Sequence, residues 1–215
     1  AFIHFNNHLE YKISNHLTGQ LGVSFTHFSN GSSKTPNLGI NICSINAGLA
    51  YGINSVNRSV IRDSSNIANF SKWERLVVVS AASKEKKPIG GDKYAALSAS
   101  FTNQKHISFK SMLGWGVDIF YDGSIMAELE ASNDVSINLE ILQPGIHGSY
   151  VLKMNRFYLL FQMGFYVYTK YTGDGSIYHR IGNRYQLTDH LLLNLTLKSH
   201  FAVADHFEFG LGYRL

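Results

Sequence analysis

The densest chemical signal in the chain is the run Thr26-His27-Phe28-Ser29-Asn30-Gly31-Ser32, followed by Pro36-Asn37-Leu38-Gly39-Ile40-Asn41. A serine hydroxyl becomes a nucleophile when an adjacent base takes its proton, and a histidine within hydrogen-bond reach supplies that base. His27 and Ser29 are two residues apart. On an extended strand that spacing puts both on one face, about 7 Å apart at Cα, where long rotamers can meet. The same residue types are ordinary turn formers, and His-x-Ser alone is a weak motif. What the pair can do depends on the face it occupies, and so on the strands that carry it.

Those strands are written across the whole chain as a period of two. From Ile107 to Tyr121 one face reads Ile107, Phe109, Ser111, Leu113, Trp115, Val117, Ile119 and Tyr121, and the other is polar or small. Successive strand side chains point to opposite faces, so each such segment is a strand with one apolar side. Phe157 to Lys170, Leu191 to Lys198 and Phe207 to Leu215 repeat the pattern. About eleven segments do so. They lie at 2–13, 17–30, 37–53, 71–82, 92–104, 107–121, 145–154, 157–170, 176–187, 190–201 and 206–215. One short helix is expected at Ile125 to Ser132, inside a loop.

Composition narrows the class. Of 215 residues, 45% are hydrophobic, 13% aromatic and only 16% charged, so the chain is not disordered. One cysteine excludes an internal disulfide and a multi-cysteine zinc site. The net charge of +4 is scattered, with no basic run that would track nucleic acid. No apolar stretch approaches the 18 residues or more of a membrane helix.

Alternating strands build either a soluble sandwich or barrel with its apolar face inside, or a transmembrane barrel with that face toward lipid. The second is favoured. The strands reach the roughly 9–11 residues that a tilted crossing needs. The polar face is rich in Gly, Ser, His, Lys and Arg, as in a wet lumen, and Tyr51, Tyr121 and Phe157 sit at strand ends like interface girdles. Short turns at Ser14-Asn15, Gln104-Lys105, Asn155-Arg156 and Thr188-Asp189 contrast with longer connections at 83–91 and 122–144. That is the periplasmic and extracellular asymmetry of outer-membrane barrels, which segment 54–70 breaks. The expected fold is an all-β, antiparallel, up-and-down transmembrane barrel of the bacterial outer membrane, one domain over 1–215. An odd strand count would put the termini on opposite sides, so an N-terminally incomplete barrel is expected.

Parity then places the chemistry. Leu21, Val23, Phe25, His27 and Ser29 share one face of their strand, and Asn41 tops the row Cys43, Ile45, Ala47, Leu49 and Tyr51. The three polar residues would face lipid, where a polar cluster is costly unless satisfied or functional. A site there would act on a lipid from the side.

His27-Phe28-Ser29-Asn30 with Pro36-Asn37-Leu38-Gly39 resembles the signature of the lipid A 3-O-deacylase (PagL) family. Arg180-Ile181-Gly182, Leu197-Lys198-Ser199-His200 and the ending Phe209-Gly210-Leu211-Gly212-Tyr213-Arg214-Leu215 resemble its longer Bacteroidetes members, generally labelled acyloxyacyl hydrolases. The resemblance implies a membrane-embedded serine esterase cutting an acyl ester of lipid A or a related outer-leaflet lipid. Ser29 would be the nucleophile, His27 its base, and Asn30 with the backbone of Ser32 the oxyanion donors, with Asn37 and Gly39 as supporting motif positions. The family's triad ends in a glutamate twelve residues after the serine, where this chain has Asn41. No acidic residue lies between Glu10 and Asp63 to replace it. An amide can orient a histidine but cannot stabilise an imidazolium as an anion does.

The alternative is a non-catalytic barrel that binds lipid or serves as a structural subunit beside other outer-membrane proteins. A passive pore is disfavoured, because small barrels fill with side chains. No cofactor or metal is expected. His4 and His8 share a face but lie about 13 Å apart on a strand, too far to share one ion. Cys43 reads as a small apolar residue, and Lys110, Asp118, Arg180, Arg184 and Glu208 as structural lumen residues.

Overall fold

The computed structural model describes residues 2–30, 39–53, 73–85, 91–131, 141–171, 173–201 and 203–215. The described residues form eleven strands and one helix. The strands are β1 (Phe2–Lys12), β2 (Leu17–Phe28), β3 (Ile40–Tyr51), β4 (Trp73–Glu85), β5 (Lys93–His106), β6 (Ser111–Asp122), β7 (Leu142–Met154), β8 (Phe157–Tyr166), β9 (Ile177–Gln186), β10 (Leu191–His200) and β11 (Val203–Arg214). The helix α1 spans Gly123–Ala131, in the loop where a helix is expected.

Strands β4 to β11 make a closed antiparallel barrel in which sequence neighbours are spatial neighbours, and β11 pairs with β4 to close it. Strands β1, β2 and β3 make a separate three-stranded sheet in that order. The chain divides into two compact units, one with the strands of the sheet and one with those of the barrel. Segment 54–70, which broke the turn rule, lies outside the described residues. Among the described residues eight strands close the barrel and three form the sheet.

The barrel wall has the membrane polarity. Outward-facing Trp115, Leu195 and Phe209 are 57%, 42% and 63% exposed, while their chain neighbours Gly116, Thr196 and Glu208 face in and are buried or nearly so. A strand of 12 residues such as β6 rises about 40 Å, and a tilt near 45° projects this onto about 28 Å, close to the hydrocarbon thickness. Trp73, Tyr150, Phe157 and Tyr213 form an exposed aromatic belt at the short-turn end, where the Lys105 ammonium lies 5.9 Å from the Trp73 ring.

Three of the short turns share one chemistry. In Ile13–His16, Ile107–Lys110 and Leu187–His190 the second residue is Ser14, Ser108 or Thr188. Its hydroxyl accepts from the backbone N–H two and three residues on. The backbone N–H groups of the first two residues both donate to the carbonyl of the residue after the turn. The turn expected at Gln104-Lys105 therefore lies at Ile107–Lys110. Ile107 and Phe109 are turn residues, and Lys110 is an exposed turn residue rather than a lumen one.

The lumen is filled, where a wet one was expected. At the short-turn end it holds an apolar plug of Leu76, Val78, Met112, Val151, Tyr158, Leu160 and Leu192. Above it comes a polar layer, then the rings of Phe120, Tyr166 and Tyr178. Next lies a charged layer in which Asp205 meets Lys84, Lys198 and His206. A register shift at Lys198/Ser199 lets Ala204, Asp205 and His206 all be buried in succession. Ile125 and Leu129 of α1 pack with Ile141 in a cluster that Tyr171 joins. Burial and the hydrogen bond to Glu128 push the Tyr171 phenol up to about 12, so it stays a proton donor and ties its loop to the helix. Among the described residues Lys84 pairs with Asp122 and Asp205, Lys198 with Asp205, and Arg180 with Asp118 and Glu208, so buried charges of both signs meet inside the barrel.

Candidate functional site

In the three-stranded sheet the same alternation gives two unlike faces. On one face Gln20 donates to Glu10 (2.9 Å), Asn46 donates to Ser24 (3.1 Å), and His4 Nδ1 lies 2.8 Å from Thr26 Oγ1. His4 and His8 therefore have protein partners, His8 meeting Glu10 at 3.3 Å. Among the described residues no group of His, Cys, Asp and Glu is arranged to hold a metal. The opposite face is apolar, with Leu21, Val23, Ile45 and Leu49 each at least 60% exposed.

His27 and Asn41 sit on the apolar face, directly opposite one another in the β2–β3 register. Their contact is direct, with His27 Nδ1 2.7 Å from Asn41 Oδ1. With the amide oxygen facing the ring, Nδ1 must carry the proton and donate it. The lone pair of a neutral imidazole then lies on Nε2, the nitrogen a serine needs as its base. Turning the amide over would present its NH2 group to Nδ1 and move the ring proton to Nε2, which would abolish the base. The orientation of one amide therefore sets the tautomer.

Gly39 lies next to this pair, immediately before β3. A Cβ on it would stand 3.0 Å from His27 Cε1, so the imidazole packs where a side chain would be. Ser29 and Asn30 come directly after the end of β2 at Phe28. The strand expected over 17–30 is thus two residues shorter, and the alternation that would place Ser29 on the face of His27 ends just before it. Ser29 is half-buried and Asn30 exposed. Ser32 and Asn37 lie outside the described residues.

Below His27 and Asn41 the apolar face carries an open groove of ≈ 500 Å³. Phe5, Phe25 and Cys43 form one cross-strand row of its wall, and Asn7, Val23 and Ile45 the next. No single strand announces it, because each row takes one residue from each of three strands. Cys43, read as a small apolar residue, lines this groove as a free thiol.

The barrel holds a second arrangement with the outline of a hydrolase relay. Asp118 Oδ2 lies 2.7 Å from His147 Nδ1, and His147 Nε2 lies 3.1 Å from Thr102 Oγ1. Chemistry is excluded there on two grounds. The Asp118 and His147 side chains are 0% exposed, so a substrate has no approach to them. His147 Nε2 also meets the Gln162 amide nitrogen at 2.9 Å, so its lone pair is already engaged. Arg180 donates to Asp118 Oδ1 (2.9 Å) and pairs with Glu208 (2.9 Å), and Tyr178 also donates to Asp118. Arg184 donates to Asn194 (2.9 Å). Asp118, Arg180, Arg184 and Glu208 are the structural lumen residues expected.

Two family descriptions match the chain. "Acyloxyacyl hydrolase, C-terminal domain" matches residues 73–215, the strands of the barrel, and "Lipid A 3-O-deacylase (PagL)" matches residues 3–50, the strands of the sheet. None of the curated proteins matches. Among solved structures, one described as "De novo design of transmembrane beta-barrels" is 13% identical with a TM-score of 0.39, and the similarity covers 66% of this chain and 95% of that one.

Proposed function

Because this chain belongs to the family of lipid A 3-O-deacylase (PagL) and the acyloxyacyl hydrolases, we propose that it is an outer-membrane serine esterase removing an acyl chain from lipid A or a related outer-leaflet lipid. The observation that carries this reading is the His27–Asn41 contact of 2.7 Å at the head of an apolar, lipid-type face. In the proposed reaction His27 Nε2 takes the Ser29 proton as the hydroxyl oxygen attacks the ester carbonyl. Asn30 and the backbone N–H of Ser32 donate to the oxyanion, the kind of contact worth about 10²–10³ in rate. The sugar alkoxide leaves with the proton held by His27. Water, activated by the same nitrogen, then hydrolyses the acyl-serine and releases the fatty acid.

Asn41 replaces the usual carboxylate as the group that holds the ring, and Gly39 leaves the ring its space. The groove below supplies an apolar bed for the departing chain, entered from the membrane side. The sheet itself works as a stretch of barrel wall. Open strand edges are not tolerated in hydrocarbon, so this reading requires the outer edges of β1 and β3 to be paired in the membrane.

Asn41 also favours a second reading, a lipid-binding barrel that keeps the groove without the reaction. A fluorophosphonate probe separates the two. An active serine takes up one probe at Ser29, and labelling is lost in Ser29→Ala and His27→Ala. A folded protein that takes up no probe supports the binding role.

A further inference from the structure

The barrel carries a second surface feature, unrelated to the His27 pair. At the short-turn end a notch of ≈ 680 Å³ opens between the turns at 107–110, 155–156 and 187–190. Backbone bonds fix these turns to one another. The Lys153 N–H donates to the Lys110 carbonyl (2.6 Å), and the Gln186 N–H donates to the Arg156 carbonyl (2.8 Å). The two-residue turn at its floor is tight, with Asn155 at φ 58°, the left-handed region that asparagine tolerates. The geometry therefore holds Lys110, Lys153 and Arg156 around one opening, with Asp189 as the only acid in the lining. None of the three cations makes an ion pair among the described residues.

Asn155, Gln186 and Thr188 are the uncharged polar members of the lining, and Phe109, Met154 and Leu187 the apolar ones. Phe109, Met154 and Leu187 are 69%, 49% and 41% exposed there, and Phe157 continues the apolar surface onto the lipid-facing wall beside Tyr185, ring to ring at 4.9 Å. Cations above exposed apolar side chains, next to the aromatic belt, match a lipid and not a free anion. A soluble phosphate would need the charges alone. Short turns face the periplasm in outer-membrane barrels, so this end meets the inner, phospholipid leaflet.

We propose that this notch binds the headgroup of an anionic phospholipid of the inner leaflet. Lys110, Lys153 and Arg156 would surround the phosphodiester, and the acyl chains would run along Met154 and Phe157. The contact would fix the depth of the barrel in the leaflet opposite to the one that holds lipid A.

The test is a titration of the intact chain in detergent micelles with phosphatidylglycerol, read as retained lipid by native mass spectrometry. Each cation near a membrane surface contributes about fivefold in affinity, so Lys110→Gln/Lys153→Gln/Arg156→Gln should bind about a hundredfold more weakly. Lys93→Gln, on the opposite mouth, should bind like wild type. If the triple variant does not fold, as judged by heat-modifiable gel mobility, the three single variants carry the test at about fivefold each. Wild-type affinity in the folded variants overturns the proposal. Complete displacement of phosphatidylglycerol by millimolar inorganic phosphate also overturns it, because the site would then read a free anion.

Discussion

Replacing Asn41 by Asp changes the character of one contact while keeping its shape. The two side chains are isosteric, so a carboxylate oxygen inherits the 2.7 Å approach to His27 Nδ1. In the reaction the imidazole becomes an imidazolium, which the native amide orients but does not neutralise. Unit charges about 4 Å apart attract by about 1 kcal/mol in water and about 4 kcal/mol at an effective dielectric near 20. His27 is half-buried and Asn41 exposed, so the pair lies between these limits. The expected gain in kcat is between about fivefold and about 10³-fold. A serine protease taken the other way, Asp to Asn, loses about 10⁴, which sets the ceiling. The carboxylate also has no wrong way round, so the tautomer no longer depends on an amide flip. Asn41→Leu removes the acceptor and should lower kcat by about tenfold or more. The assay is the initial rate of fatty-acid release from lipid A in mixed micelles, for wild type and both variants. If Asp and Leu at this position both leave the rate at the wild-type value, the contact has no part in catalysis and the mechanism above is wrong.

Other consequences follow from the same geometry. Gly39→Ala places a methyl 3.0 Å from His27 Cε1 and should reduce kcat while the folded gel mobility is kept; an unchanged rate would mean that the ring does not need that space. Leu195→Arg puts a charge on the lipid-facing wall of β10 and should destabilise the barrel by about 2–4 kcal/mol near the midplane. Urea unfolding in lipid vesicles reads this, and a neutral result would place the residue outside the hydrocarbon. Asp118→Ala strips a shared partner from Arg180, His147 and Tyr178, and should cost about 3–5 kcal/mol in the same assay. Retained stability would show that the lumen network is not what holds the barrel.

Much of the fold is legible because the environment enforces it on every strand. A wall between lipid and a packed lumen demands strict alternation, and rows such as Leu191, Leu193 and Leu195 report it directly. The misplaced turn at Ile107–Lys110 shows the limit of that signal. A four-residue turn preserves parity, so Ile107 and Phe109 continue the apolar row without being strand residues. The hint was Ser108, placed as Ser14 and Thr188 are in the equivalent turns. Closure was not legible at all. The pairing of β11 with β4 joins residues more than 100 positions apart, and alternation says which face a residue takes, not which strand lies beside it.

The site divides in the same way. Parity alone put His27 and Asn41 on the apolar side of their strands. Their contact needed the β2–β3 register, and the groove needed β1 as well, through Phe5 and Asn7. In the lumen, Asp118, Arg180 and Glu208 could be recognised one by one. Their shared network depends on register around most of the barrel.

The most direct measurement is mass spectrometry of lipid A incubated with the folded protein, beside Ser29→Ala. The account predicts loss of one acyl chain with wild type, accumulation of the free fatty acid, and no change with the variant. Identical lipid A spectra for both proteins, with each barrel shown to be folded, would contradict the serine-esterase claim.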